Sequence, residues 1–195
     1  MSIFIYAKTT EKPEIFDTAL SVLDCTGGRI LIYREHRKEF SRLLELEKSC
    51  RYGDVVLTSQ LSSLGLTDKD ICRQLGWFSD RSIHLAVCNL PPTYEYGISQ
   101  PLNQAVIESL RIILENGTYP AGISSSERAH SGRKKTACPD NWEILYEKWE
   151  NHEISSRDFM NASGLKKATF YKLLSEYRET LECTKQWEMR YNHNE

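Results

Sequence analysis

The stretch SIFIYAKTTEKPEIFDTALSVLDC, residues 2–25, decides the fold. Its opening, SIFIYA, is a short run of β-branched and aromatic residues and reads as a strand. After a polar loop, KPEIFDTALSVLDC places Phe16, Ala19, Leu20 and Leu23 on one helical face. The same alternation continues along the chain. GRILIY, GDVVLTS and SIHLAVC are further strand patterns led by turn residues. Between them, KEFSRLLELEKSC sets Phe40, Leu43, Leu44 and Glu47 on one face, and TDKDICRQLGWF opens on Thr67 with Asp70 at the capping-box position. Strands alternating with helices predict an α/β domain, and their near-continuous apolar character predicts a mostly parallel sheet covered on both faces.

A further helix is predicted over residues 101–115, PLNQAVIESLRIILE, with Pro101 in its first turn and Asn116, Gly117 and Pro120 at its end. Its apolar face is Val106, Leu110, Ile113 and Leu114. That face can pair with a second copy or cover the sheet, and a homodimer through residues 101–115 is the reading adopted. Residues 124–139, SSSERAHSGRKKTACP, lack periodicity and read as a basic linker. Beyond it, residues 140–180 predict three short helices, with Asp140 as the first N-cap and Trp142, Leu145, Tyr146 and Trp149 on one side. Residues 181–195 form a tail that extends the last helix or is disordered. The N-terminal domain is thus residues 1–123.

Composition excludes several classes. No apolar run approaches the roughly 18 residues of a membrane span, and the N-terminus reads as a strand rather than a signal peptide. Cys25, Cys50, Cys72, Cys88, Cys138 and Cys183 are scattered without a C-x-x-C pair, which favours reduced thiols over a metal site or a disulfide framework. No cofactor, metal or small-molecule substrate is indicated. The net charge of −2 is uneven: residues 1–123 carry 13 basic and 15 acidic side chains, whereas residues 132–178 carry 9 and 7. Only this middle section is net positive, which marks where a polyanion would dock.

Within EISSRDFMNASGLKKATFYKLLSEY, residues 153–177, two helices meet at a turn containing Gly164. Phe159, Leu165, Phe170 and Leu173 are spaced for a shared core, leaving Lys166, Lys167, Thr169 and Lys172 near the start and outer face of the second helix. This is the helix-turn-helix pattern, whose second helix enters the DNA major groove. Lysines supply phosphate attraction, and Thr169 or Lys167 would read bases. A surface hairpin with solvated lysines is the bland alternative. Arg133, Lys134 and Lys135, just ahead of the module, suit a minor-groove arm.

The C-terminal stretch resembles the DNA-binding domain of the small serine recombinases, the resolvases and invertases. Their Gly-Arg arm, helix and I-S…F…T-F/V-Y-K-L-L pattern meet GRKK, Ile154, Ser155, Phe159, Thr169, Tyr171 and Lys172 in register. The N-terminal half resembles their catalytic domain. YAKTT stands where the family has Tyr-x-Arg-Val-Ser, RKEFSRLLE resembles Arg-Pro-x-Leu-x-x-Leu-Leu, and GDVVLTSQLSSLGLT resembles its Gly-Asp-x-x-Val-x-Lys-Leu-Asp-Arg-Leu-x-Arg-Ser segment. The resemblance implies a resolvase-like domain, a helix-turn-helix domain and a bacterial, nucleoid-associated, cytoplasmic setting, with a mobile element as a natural source.

The resemblance also implies a damaged catalytic site. The family's nucleophilic serine falls on Thr10 and its nearby arginine on Lys8. Arg37 is kept, but the Asp-Arg-x-x-Arg cluster becomes Ser62, Ser63 and Leu66. Thr crowds an in-line attack, and Lys lacks the bidentate fork of guanidinium. Losing one comparable electrostatic donor costs about 100–1000-fold in rate. His36 and His84 stand alone in the sequence and offer no replacement. The expectation is a site-specific double-stranded DNA binder acting as a transcriptional regulator or accessory architectural factor, and not an enzyme. The rivals are an active recombinase using Thr10 and a protein-interaction adaptor tethered to DNA.

Overall fold

The computed structural model describes residues 1–24, 28–36, 38–117 and 138–191. Four strands, β1 (Ser2–Lys8), β2 (Arg29–Glu35), β3 (Val55–Thr58) and β4 (His84–Val87), form one all-parallel sheet in the order β2-β1-β3-β4. In its register, Tyr6 lies opposite Tyr33 on one side and Thr58 on the other. Ile3 to Ala7 are buried without interruption, as a strand covered on both faces requires.

A 3-10 turn at Pro13–Phe16 leads into α1 (Asp17–Val22), so the helix expected to be continuous over this stretch is divided near its proline-led start. Then come α2 (Ser41–Ser49), α3 (Asp68–Asp80) and α4 (Gln100–Asn116). Phe4, Tyr6, Val56, Leu85 and Val87 of the sheet pack with Leu43 and Leu46 of α2, Leu75 and Phe78 of α3, and Ile107, Leu110 and Leu114 of α4. The expected phase of α2 is corrected here: Leu46 is buried and Leu44 is 52% exposed. At the head of α3, Thr67 and Asp70 exchange side-chain and backbone bonds in a complete capping box. The turn before it needs Gly65, where an added Cβ would stand 2.6 Å from the Asp70 Cβ and 2.9 Å from the Ile71 nitrogen.

Helix α4 turns Ile107, Leu110 and Leu114 into the core. The face expected to be free for pairing is therefore largely used inside the fold. The outward stripe of α4 is Leu102, Ala105, Ser109 and Ile112. The buried stripe also holds a polar residue, Asn103, whose amide accepts from the Leu85 N–H (3.1 Å) and donates to the Leu85 and Thr93 carbonyls (2.9 Å each). Beside it, the Thr93 hydroxyl accepts from the Val87 N–H at 2.8 Å.

The chain divides into two compact units, residues 1–130 with 186–195 and residues 131–185. In the second, α5 (Trp142–Glu150), α6 (Ser156–Ser163) and the first part of α7 (Lys167–Tyr191) enclose a small aromatic core. Trp142 is its hub, with ring centroids 4.8 Å from Phe159 and 5.7 Å from Phe170. Tyr146 and Tyr177 meet at 4.9 Å. The N-cap of α5 is Asn141 and not Asp140. Helix α7 is 25 residues long, so the third helix is not short and the tail from 181 is helical through Tyr191. Among the described residues, no helix is long and apolar enough to cross a membrane.

Candidate functional site

In an open parallel sheet the natural crevice lies outside the carboxyl ends of strands at the point where strand order reverses. Here that point is between β1 and β3, with β2 on the far side of β1. Thr9, Thr10 and Glu11 follow β1, while Ser59 and a 3-10 turn, Leu61–Ser63, follow β3. The Glu11 carboxylate fills the space between them. It accepts from the Ser59 hydroxyl at 2.5 Å, from the Ser63 hydroxyl at 3.5 Å and from the Lys8 backbone N–H at 2.8 Å. The Ser59 and Ser63 hydroxyls are themselves 3.1 Å apart.

Thr10 is exposed, and the carbonyls on either side of it are both held. The Arg34 guanidinium, from the end of β2, donates to the Thr9 carbonyl at 3.0 Å, and the Trp187 indole donates to the Glu11 carbonyl at 2.8 Å. Arg34 and Trp187 also touch, with the guanidinium carbon 5.5 Å from the ring centroid. Sequence reasoning missed Glu11, Arg34 and Trp187. The signal for Trp187 was available: it and Tyr191 stand four apart in an otherwise polar tail, KQWEMRY, and such a pair on one helical face calls for a partner.

Lys8 does not point at this crevice's chemistry. It is 4% exposed, and its ammonium donates to the Tyr6 hydroxyl (2.6 Å) and the Glu39 carbonyl (3.0 Å). It lies 3.5 Å from the Glu35 carboxylate and 4.3 Å from the Phe40 ring centre. The Tyr6 hydroxyl in turn donates to Glu35, whose other oxygen accepts from the Arg42 backbone N–H at 2.9 Å. Burial pulls the Lys8 ammonium below its ordinary range, against the opposing pull of Glu35. Burial, reinforced by Glu35, drives the Tyr6 phenol far above its own range.

Of the other positions aligned with the family's catalytic residues, Ser62 is half-buried, Ser63 is buried in the Glu11 cluster and Leu66 is 48% exposed. Arg37 lies outside the described residues. The described part of the crevice thus offers the Glu11 carboxylate, Ser and Thr hydroxyls and the Arg34 guanidinium, which is committed to a carbonyl. A developing phosphoryl charge needs preorganised donors and cations, and Glu11 places a negative charge there instead. Among the described residues, no group of three His, Cys, Asp or Glu side chains gathers as a metal site. His84 is a buried structural residue: its Nε2 is 3.1 Å from the Thr93 carbonyl, and burial lowers its pKa to about 4.

The second candidate is the start of α7. Ser155 caps α6: its hydroxyl accepts from the Asp158 N–H at 3.2 Å in a full capping box, so its side chain serves the helix end. Gly164 ends α6 in the left-handed region at φ 65°, and α7 starts three residues later. Lys166, Lys167 and Lys172 are exposed and carry no ion pair with any described residue, while Tyr171 is 49% exposed with its ring packed edge-on against Phe170 at 5.3 Å. Lys167 and Tyr171 stand four apart on one face, with Lys172 beside them. Thr169 is half-buried on the flank, and Phe170 and Leu174 face the core. Exposed Arg157, near the start of α6, is a cation the sequence reading did not include. Arg133, Lys134 and Lys135 lie outside the described residues. In a scan of known protein families no family model matches this chain, and no curated protein matches it either.

Proposed function

We propose that this chain is a serine-recombinase-like, site-specific binder of double-stranded DNA that lacks a working catalytic crevice. It acts as a transcriptional regulator or an accessory architectural factor. The observation that carries this reading is the start of α7, where Lys166, Lys167, Tyr171 and Lys172 stand on an aromatic core with no carboxylate partner among the described residues. With α6 and the Gly164 turn this makes a helix-turn-helix, with α7 as its recognition helix. The lysines attract phosphates, and Tyr171 offers a flat, half-exposed ring beside them. The parallel sheet suits a resolvase-like domain, and the Glu11 carboxylate and buried Lys8 speak against strand cleavage.

The decisive experiment recovers bound sequences from random duplexes and then measures affinity. Lys167→Glu with Lys172→Glu should fold normally and bind the selected site about 100-fold more weakly, with a salt slope lower by about 2. Full affinity at moderate salt would remove the assignment. An inverted repeat in the selected sites would support a dimer and give its half-site spacing.

Such a dimer would form through the outward stripe of α4, Leu102, Ala105, Ser109 and Ile112, whose 3-and-4 spacing and small central residues permit close approach of a second copy. Ile112→Lys should then lower the sedimenting mass without loss of helicity. A wild-type chain that sediments as a monomer at high micromolar concentration, with and without DNA, would remove this dimer.

A further inference from the structure

Residues 186–191, the end of α7, pack as part of the first unit. Trp187 is almost fully buried there, with its ring 5.6 Å from Phe16, and Tyr191 stacks on it at 5.4 Å. Its indole N–H holds the Glu11 carbonyl, and Arg190 pairs with Asp17. These contacts fall on both arms of the segment that runs from the end of β1 into α1. Glu11 is the residue whose carboxylate occupies the crevice between β1 and β3.

We propose that residues 186–191 are a strap that keeps Glu11 seated in the crevice at the carboxyl edge of the sheet. Two anchors do the work. Trp187 and Arg34, stacked on each other, grip the Glu11 and Thr9 carbonyls and so fix the backbone on both sides of Thr10. Arg190 and Asp17 tie the far end of the loop through an exposed ion pair. The Trp187 anchor is the stronger, because it combines aromatic packing with a sheltered hydrogen bond, whereas a solvent-exposed pair contributes little. With the strap released, the Glu11 backbone loses its indole donor, and its side chain can leave Ser59 and Ser63. Those hydroxyls and the Lys8 N–H then face the crevice. The proposal stands on these contacts and is independent of DNA binding by α7.

The test follows amide hydrogen exchange in the full-length protein. Thr9, Glu11 and Ile15 donate to the Glu35, Lys8 and Lys12 carbonyls, so their amides report the loop. Trp187→Ala should speed their exchange by about tenfold while the β3 amides of Val56 and Leu57 stay protected, which also shows that the sheet remains folded. Arg190→Asp should speed loop exchange by about twofold, and Arg190→Asp with Asp17→Arg should return it to the wild-type rate. Ser59→Cys then reads opening directly, by peptide-resolved labelling with a small maleimide, about tenfold faster when Trp187→Ala is added. Unchanged loop exchange in Trp187→Ala, unchanged labelling at position 59, or a charge swap no better than Arg190→Asp alone would each overturn the strap.

Discussion

The carboxyl edge of the sheet and the first turns of α7 both bear cationic side chains, and the two regions use them in opposite ways. At the sheet, Lys8 is enclosed by Tyr6, Glu35 and Phe40, and Arg34 is committed to a backbone carbonyl and an indole face. On α7, Lys167 and Lys172 project from an aromatic core with no ion pair to any described residue. A cation held by its own protein stabilises the fold and is lost to a ligand. A solvated cation adds little to the fold and remains available to a polyanion. Counting lysines and arginines in a sequence does not separate these two cases, because the distinction is one of burial and partners.

The largest effect that can break this contrast is on stability. Lys8→Ala leaves Glu35 buried without its cation and should cost about 3–5 kcal/mol in urea unfolding. Lys172→Ala should stay within about 0.5 kcal/mol of wild type. A Lys8→Ala cost below about 1 kcal/mol would mean that the ammonium is not enclosed.

The next effect concerns protons. Burial lowers His84 from its ordinary value of about 6.5 to about 4. Between those values the unfolded chain binds a proton that the folded chain refuses. Stability is therefore complete above pH 6.5 and falls as the pH drops through this window, by roughly 2–3 kcal/mol. Unfolding curves at pH 7 and pH 4.5 should show the loss in wild type and a smaller one in His84→Gln. An equal loss in both proteins would assign the acid limb to another group.

The smallest effect sharpens the comparison from the side of the crevice. Thr10→Ala, at an exposed position, should change stability by less than about 0.5 kcal/mol and leave the proposed affinity for duplex DNA unaltered. The assay uses an end-labelled duplex carrying the selected site with a nicked centre. A covalent protein–DNA adduct that forms with wild type and disappears in Thr10→Ala would overturn the proposed lack of strand cleavage.

The strands were legible because β-branched runs between turn residues have few other uses, and the Thr67–Asp70 box announced the start of α3. Helix phase was harder. In α2 the apolar template selected Leu44, yet the helix buries a narrow stripe through Leu43 and Leu46. In α4 the true inward stripe runs through Asn103, Ile107, Leu110 and Leu114, and an apolar template rejects Asn103 although its buried amide is fully engaged. The second unit hid its hub for a related reason: Trp142 was expected on one side of its helix, but its place among Phe159, Phe170 and Tyr177 depends on three helices at once. At the candidate sites, the exposed lysines could be named from spacing. The capture of Lys8 by Glu35, 27 residues later, and of Glu11 by Trp187, 176 residues later, could not, since only the fold brings them together.

The Asn103 amide has one more consequence. Among the described residues β4 is the outermost strand on its side of the sheet, and its outward backbone groups at Leu85 meet an amide that offers one donor and one acceptor, as a neighbouring peptide group would. Thr93 occupies Val87 in the same way. An unprotected sheet border invites pairing with another chain. Here two side chains stand in for the missing strand, so the border is closed to edge-to-edge polymerisation. Asn103→Leu would keep the volume, remove the surrogate peptide group, and give a chain that aggregates through β4 before it unfolds.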